Sequence, residues 1–295
     1  RMRKMFVLTA CIFSLSMMLS GCREILDMQV GLTKVEQDGT KEEDVPGRYE
    51  MTNYDYDVSE EGAVEIDLAN LPENISDFGS YDGRTLMIRK AGTYLLSGKL
   101  NQGKIVVSVC EDEVVHLILN GVEIRSADGA AVCVEKADKV IITLKDGTES
   151  TLSDGPGYDD ERKACIFSNS DLTINGSGFL AVYGYHADAV RSKDRLKLVN
   201  TRIYVKSKKD GLRGNDGVII HDSEVEAECE GIGIFSDSDA DMVVIQGGSC
   251  KVIAGENAVR ASRYVSISDC QTDLYAVWEI VQCGGILEWE GVPEQ

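Results

Sequence analysis

A short phrase recurs five times in this chain and decides its fold. The copies read Ala164-Cys165-Ile166-Phe167-Ser168, Asp188-Ala189-Val190-Arg191-Ser192, Asp210-Gly211-Leu212-Arg213-Gly214, Ile232-Gly233-Ile234-Phe235-Ser236 and Asn257-Ala258-Val259-Arg260-Ala261. Their starting points are 24, 22, 22 and 25 residues apart, and a short alternating apolar strand follows each copy. A repeat of this length indicates a solenoid, in which each unit buries its apolar face only by stacking on its neighbours.

The repeat predicts β-structure. It contains period-two apolar runs with Gly, Asn or Asp at the corners, and no apolar stripe long enough for a helix. A coil of three short strands and three bends needs about this many residues, because a strand advances ~3.3 Å per residue. We therefore expect an all-β fold, a single-stranded right-handed parallel β-helix over residues 64–295, with roughly nine to ten coils.

Composition limits the classes of function. The chain has 295 residues, 43% of them hydrophobic, which suits one elongated domain. Its formal net charge is −20, from 50 acidic and 30 basic residues. This balance argues against nucleic acid as a partner, because binding phosphate requires a basic face. It fits a protein that binds cations, or one kept soluble by self-repulsion. We expect a monomer.

The N-terminus has the pattern of an export signal. A basic start, Arg1 to Lys4, precedes an apolar run from Met5 to Met18 that is short for a transmembrane helix. The following Leu19-Ser20-Gly21-Cys22 resembles the lipobox of bacterial lipoproteins, which implies that residues 1–21 are removed and Cys22 is lipidated. A chance cysteine after an ordinary signal peptide is the alternative. We expect a lipid-anchored protein on the extracytoplasmic face of the cell membrane.

Three further segments have predicted roles outside the regular coils. Residues 22–63 are acidic and without sustained periodicity, and we expect them to form the lipidated cysteine and a tether. The polar excursion Leu152–Lys163 is expected on the binding face, where insertions in solenoids often lie. Val277-Trp278 and Leu287-Glu288-Trp289 are expected to cap the last coil, because an open β-helix end needs covering.

Several of these segments resemble a bacterial family of carbohydrate-binding β-helix lipoproteins. In the order of the family they are Ala91–Gly98, Leu117–Val122, Ala137–Leu144, Ile166–Ser168, Asp171–Gly178 and Asp210–Gly214. The resemblance covers about residues 64–270. It implies a pectate-lyase-like solenoid that binds calcium and plant-cell-wall or acidic polysaccharides, without established lyase activity. The Asp-Gly-Ile corner of the family is kept at Asp210-Gly211, partly kept at Asp188-Ala189 and altered at Asn257-Ala258.

Two acids of the repeat fall in one column. Asp188 and Asp210 would stack ~4.8 Å apart on adjacent coils, an unfavourable arrangement unless it is compensated. A calcium ion, which takes about six to eight oxygen ligands, would remove the repulsion. Further candidate ligands are Asp194, Asp216 and Glu230. Alternatively, Arg191 and Arg213, each three residues downstream of an acid, neutralise the pair as an ion-pair ladder, and the sequence leaves both hypotheses open.

The densest basic patch lies in the same repeats. The candidate carbohydrate-binding residues are Arg191, Arg213, Arg260, Lys208 and Lys209. Guanidinium groups pair with carboxylates bidentately, and the extended side of a solenoid suits a linear polymer, whether pectate-like or cellulosic. The alternative is that these cations only offset neighbouring acids.

Three functions follow from these patterns. The preferred hypothesis is a cell-surface lipoprotein that binds polysaccharide with calcium assistance and without catalysis. A calcium-dependent polysaccharide lyase would instead use Arg213 or Lys209 as its base. A structural or adhesive envelope protein would bind neither ligand.

Overall fold

The described part of the chain is a parallel β-solenoid. The computed structural model describes residues 49–72, 75–158, 162–238 and 241–290. These residues are nearly all β-structure and form about eight turns, which confirms the predicted fold class with slightly fewer coils than expected. Among them lies one short helix, α1 (Asn53–Tyr56), and no helix long and apolar enough to cross a bilayer.

Each turn contributes to three faces of the solenoid. Face 1 consists of β2 (Gly79–Tyr81), β3 (Thr85–Ile88), β5 (Lys104–Ser108), β7 (Val132–Lys136), β10 (Ala164–Ser168), β13 (Asp188–Ser192), β16 (Leu212–Gly214), β19 (Ile234–Ser236), β22 (Val259–Ala261) and β25 (Val281–Cys283). Face 2 consists of β1 (Val64–Asp67), β8 (Lys139–Leu144), β11 (Asp171–Asn175), β14 (Arg195–Val199), β17 (Gly217–His221), β20 (Met242–Gln246), β23 (Tyr264–Ser268) and β26 (Ile286–Trp289). Face 3 consists of β9 (Glu149–Ser153), β12 (Phe179–Gly184), β15 (Arg202–Ser207), β18 (Glu224–Cys229), β21 (Ser249–Ala254) and β24 (Gln271–Ala276).

Two long strands join faces 2 and 3 in the early turns. They are β4 (Gly92–Asn101) and β6 (Val114–Arg125). The first half of β6 pairs with β8 and the second half with β9, so one strand serves both faces. The ladders are parallel except for the β2–β3 pair, which is antiparallel.

Stacked apolar residues form the core. On face 2 the register aligns Leu172, Leu196, Val218, Val243 and Val265 in one row, and all five are fully buried. Burying a side chain of this size stabilises the fold by about 1.5–3 kcal/mol. This stabilisation is available only when a neighbouring turn covers the side chain. Each turn must therefore have a length that places its buried residues directly above those of the turn before it, and this requirement sets the repeat length.

One corner of the repeat requires a left-handed backbone. Between faces 2 and 3, Asn200, Asp222 and Asp269 have φ of 48°, 46° and 51°. Gly176 and Gly247 occupy the equivalent place in two other turns, with φ of 92° and 72°. Asn, Asp and Gly tolerate this region better than other residues, which explains the corner composition seen in the sequence.

Part of the predicted tether is folded. Residues 49–57 lie against the outer side of face 2, and Asp55 of α1 is completely buried there. Its carboxylate accepts hydrogen bonds from Lys139 at 2.9 Å and Lys197 at 2.8 Å. Two buried lysines on the sheet therefore hold this part of the acidic segment on the solenoid. Residues 1–48, with the predicted signal peptide and Cys22, lie outside the described residues.

The residues predicted to cap the C-terminal end lie in and beside the last turn. Strands β25 and β26 continue faces 1 and 2 in parallel register instead of folding over the last turn. Val277 and Trp278 are 75% and 62% exposed at the preceding corner, whereas Trp289 packs partly against the core. The bulky residues near this end therefore extend the coil in the part of the chain that the structure describes.

Candidate functional site on face 1

A single row of outward-facing side chains contains the predicted arginines. Strand register places Phe167, Arg191, Arg213, Phe235 and Arg260 side by side on five successive strands of face 1. We call these five residues the arginine ladder. Neighbouring members are ~4.8 Å apart, the spacing between strands. The prediction that Arg191, Arg213 and Arg260 share a column therefore agrees with the register.

The backbone explains why these side chains point outward. Val190, Leu212, Ile234 and Val259 immediately precede the last four ladder residues, and all four are fully buried. Successive side chains of a strand point to opposite sides, so burying these residues directs the next ones to solvent.

Phe235 lies between two guanidinium groups. Arg213 is 4.8 Å from its ring centroid and Arg260 is 5.4 Å away. Both distances are within the range of cation–π attraction. The ring therefore orders two arginines along the face.

The ladder arginines differ in their ion pairs. Arg213 is paired with Asp210 at 3.2 Å and also with Asp237. Among the described residues, Arg191 and Arg260 make no ion pair with a carboxylate. These two cations are therefore available to an external anion.

The two predicted lysines lie at the corner where the chain enters face 1. Lys208 is exposed and paired with Glu230 of the next turn, and Lys209 is 4.0 Å from the carboxylate of Asp210. Both lysines offset nearby acids, as the sequence-based alternative proposes. They lie beside the arginine ladder and do not belong to its row.

Asp188 and Asp210 are stacked and buried at this corner, as the sequence predicts. The Oδ1 atom of Asp188 accepts a hydrogen bond from the Asp210 amide at 3.1 Å, and the Oδ1 atom of Asp210 accepts one from Ile232 at 3.0 Å. Burial, and next the charge of Asp210, raise the pKa of Asp188 to about 6. The Asp188 Oδ2 atom is buried without a hydrogen-bond partner. Of the two acid–arginine pairs proposed from the sequence, the pair between Asp210 and Arg213 is present, whereas no ion pair joins Asp188 and Arg191.

The other predicted calcium ligands are elsewhere. Asp194 and Asp216 lie at the opposite end of the face 1 strands, where the Asp216 amide donates to the Asp194 carbonyl at 3.1 Å. Glu230 is exposed beside Lys208. The part of the chain that the structure describes contains no group of three or more His, Cys, Asp or Glu side chains placed to hold a metal. The five acids therefore do not fit one calcium site, because a strand separates the two pairs and a lysine neutralises Glu230.

Toward the N-terminal turns, the ladder row leads into a cleft of about 300 Å³. Its apolar lining includes Met87 and Val106, the register neighbours of Cys133 and Phe167 in the same row. Its polar lining includes Arg89, Lys104, Glu135 and Arg162. Arg162 belongs to the polar excursion predicted for the binding face, and it pairs with Glu135 at 2.6 Å.

Sequence reasoning missed the aromatic members of this site. Phe167 and Phe235 occupy the fourth position of the recurring phrase, the position that is arginine in the other three copies. That position could have identified them as outward-facing. The cleft could not be found this way, since Arg89 and Lys104 lie before the regular repeat begins.

Comparisons with known proteins agree with this architecture. A family model described as "Carbohydrate-binding domain-containing protein" matches residues 82–280. A protein of that description from Acetivibrio thermocellus is 29% identical over 218 residues, which cover 70% of this chain and 76% of the relative. A solved structure of a polysaccharide lyase-like protein from C. thermocellum, a gadolinium derivative, is 29% identical with a TM-score of 0.73, covering 77% of this chain and 96% of that one. The family match includes the whole arginine ladder.

Proposed function

Since this chain belongs to the carbohydrate-binding domain-containing protein family, we propose that it binds a linear polysaccharide along face 1. The observation that carries the proposal is the arginine ladder, in which three arginines and the partly exposed ring of Phe235 lie in one outward-facing row that begins at the buried ring of Phe167. Aromatic rings offer apolar area to the faces of sugar rings, and guanidinium groups donate hydrogen bonds to hydroxyl or carboxylate oxygens. The repeating row matches a repeating polymer.

We infer that the preferred ligand is acidic, such as a pectate-like polymer. Arg191 and Arg260 are without a carboxylate partner among the described residues, so a uronate can supply one. Charge-assisted bidentate pairs are stronger than neutral hydrogen bonds. Arg213, a candidate base of the lyase alternative, already donates to the carboxylates of Asp210 and Asp237 and is therefore engaged within the protein. We therefore propose binding without catalysis.

Calcium assistance and membrane attachment are further parts of the proposal. The unpartnered Oδ2 atom of Asp188 is the structural support for a cation near the ladder, although the acids chosen from the sequence do not assemble around it. Lipidation of Cys22 and an extracytoplasmic location are supported by the sequence pattern of residues 1–22.

The test is a calorimetric titration of polygalacturonate into the purified protein, with calcium and with a chelator. Saturable heat in both conditions would support binding by the ladder alone, and saturable heat only with calcium would support the assisted form. Heat that never saturates, together with accumulation of unsaturated product, would establish a lyase. No heat in either condition would overturn acidic-polysaccharide binding.

A further inference from the structure

Face 3 carries an aromatic patch that is distinct from the arginine ladder. Ala181 lies at its centre, with Phe179 and Tyr183 two residues away on either side of the same strand. Register places Tyr204 of the next turn directly beside Ala181. Side chains spaced in this way share the outer side of the sheet, so a small residue is bordered by three aromatic rings.

The three tyrosine rings form one connected group. Tyr183 and Tyr185 are stacked, with centroids 5.8 Å apart and an interplanar angle of 14°. Tyr183 also meets Tyr204 edge to face, with centroids 6.0 Å apart. Tyr185 is 49% exposed, which is high for a ring of its size. Here we define the aromatic patch as Phe179, Ala181, Tyr183, Tyr185 and Tyr204.

Ion pairs border the patch. Lys206 is 3.1 Å from Glu228, and Arg202 is 3.2 Å from Glu224. The guanidinium of Arg202 also lies 5.9 Å from the Phe179 ring centroid. The two cations beside the patch are therefore matched within the protein, in contrast to Arg191 and Arg260 on face 1. Glu149, the register neighbour of Phe179, makes no ion pair among the described residues.

This combination selects a class of ligand. The partly exposed aromatic rings of the patch, with tyrosine hydroxyls at its rim, provide rigid contact area that is apolar at its centre and polar at its edge. A pyranose ring has the complementary character, with C–H groups on its faces and hydroxyl groups around its rim. Because the neighbouring cations, Arg202 and Lys206, are already paired and Glu149 adds a negative charge, the patch does not favour an acidic sugar.

We propose that the aromatic patch is a second glycan-binding site, which stacks the rings of a neutral polysaccharide independently of the arginine ladder. The site lies within residues 82–280, the span that matches the carbohydrate-binding family. Together the two faces would let one solenoid hold an acidic and a neutral polymer at once.

The test uses cellohexaose and xylohexaose as neutral probes in calorimetric titrations of the purified protein. We expect at least one probe to bind, and Tyr183→Ala with Tyr204→Ala to weaken its binding by about tenfold, as truncating a contact aromatic typically does. The paired Tyr→Phe variant should retain most of the affinity, because it keeps the rings. Tyr275→Ala is the matched control, since Tyr275 is 58% exposed on the same face three strands beyond Tyr204.

The outcomes separate this site from the face 1 site. Unchanged polygalacturonate binding by the paired Tyr→Ala variant would support independent sites. If the wild-type protein binds the neutral probes but not polygalacturonate, the aromatic-patch proposal stands and the face 1 proposal is overturned. Absence of binding to both neutral probes would overturn the aromatic-patch proposal. The proposal would also be overturned if Tyr275→Ala lost as much affinity for the neutral probe as the paired Tyr→Ala variant, or if the paired Tyr→Phe variant lost as much. Thermal unfolding of each variant will show whether it is folded. The single Tyr185→Ala variant removes the exposed ring of the patch and so tests binding with less effect on folding.

Discussion

The carboxylate of Asp188 accepts a hydrogen bond from the backbone amide of Asp210 one turn further along, at 3.1 Å. The two acids are therefore fixed in one buried column, but they are not equivalent. Arg213 neutralises Asp210, whereas Asp188 has no cation of its own among the described residues and keeps one oxygen unpartnered. The ionised Asp188 carboxylate is therefore an uncompensated charge next to the arginine ladder. The free energy of unfolding of the protein should depend on pH for this reason.

Asp188→Asn should remove that pH dependence. Because the pKa of Asp188 is raised to about 6, the folded state binds more protons than the unfolded state between pH ~3.9 and 6. Ionising Asp188 in the folded protein therefore costs free energy. The contribution of this group to the free energy of unfolding is highest at low pH and falls as the pH rises through 6. We expect the variant to gain on the order of 1–2 kcal/mol of unfolding free energy above pH 7 relative to wild type.

Urea unfolding of both proteins from pH 4 to 8, with chelator present, measures this difference. Asp138→Asn is the matched control, because Asp138 is exposed at a different corner. Parallel stability curves for wild type and Asp188→Asn would contradict the assignment.

Asp55→Ala should destabilise the fold strongly. The substitution leaves Lys139 and Lys197 buried without their shared carboxylate, at a cost of about 3–5 kcal/mol. Burial opposes ionisation of Asp55, but hydrogen bonds, first from Lys197 and Thr173, outweigh it and hold its pKa well below the usual range. The stabilisation is thus present above pH ~3.9 and is lost as the pH falls through the lower folded value.

Chemical denaturation at pH 7 tests this prediction, with Glu61→Ala, an exposed acid of the same segment, as the control. The gap between wild type and Asp55→Ala should narrow below pH ~4. A loss below ~1 kcal/mol at pH 7 would mean that residues 49–57 are not held on the solenoid as described.

Gly248→Ala should reveal how closely adjacent turns approach at a corner. Gly248 has φ of 68°, and a Cβ atom there would lie 2.1 Å from the Ser223 carbonyl oxygen of the previous turn. Gly147 has nearly the same φ, 70°, with no atom within 4 Å of such a Cβ. We expect about 1–2 kcal/mol of destabilisation from backbone strain in both alanine variants, and about 1–3 kcal/mol more at Gly248 from the clash. Equal thermal shifts would refute the close approach.

Cys22→Ser should release the protein from membranes. If the lipobox pattern is functional, wild type expressed in a bacterial host partitions into the detergent phase, and the variant moves to the aqueous phase. Incorporation of labelled palmitate gives a second readout. Equal partitioning, with no label in wild type, would show that Cys22 is not the anchor.

The sequence predicted those features that depend on position within the repeat. Arg191, Arg213 and Arg260 share a row because they hold the same place in the recurring phrase. The alignment of the same turns would also have put Tyr204 beside Ala181, so the aromatic patch was available from the pattern and was overlooked.

Features set by long-range contacts were not predictable. Asp55 is 84 residues from Lys139 and 142 from Lys197, and no local pattern distinguishes it from the neighbouring solvated acids. Likewise, the sequence gives Asp188 and Asp210 an arginine at the same spacing, yet only Arg213 turns toward its acid. Arg213 also pairs with Asp237 of the following turn, a contact that depends on stacking.

The most direct test of polysaccharide binding on face 1 is to remove the two ladder arginines that have no ion pair. Arg191→Gln combined with Arg260→Gln leaves Arg213 in place, so Asp210 keeps its partner. The control combines Arg125→Gln with Arg202→Gln, two exposed arginines on the face 3 side that change the net charge equally. Calorimetry with polygalacturonate should show binding weakened by about tenfold or more in the ladder variant, and by no more than about twofold in the control. Equal affinities for the two variants would contradict binding along the arginine ladder.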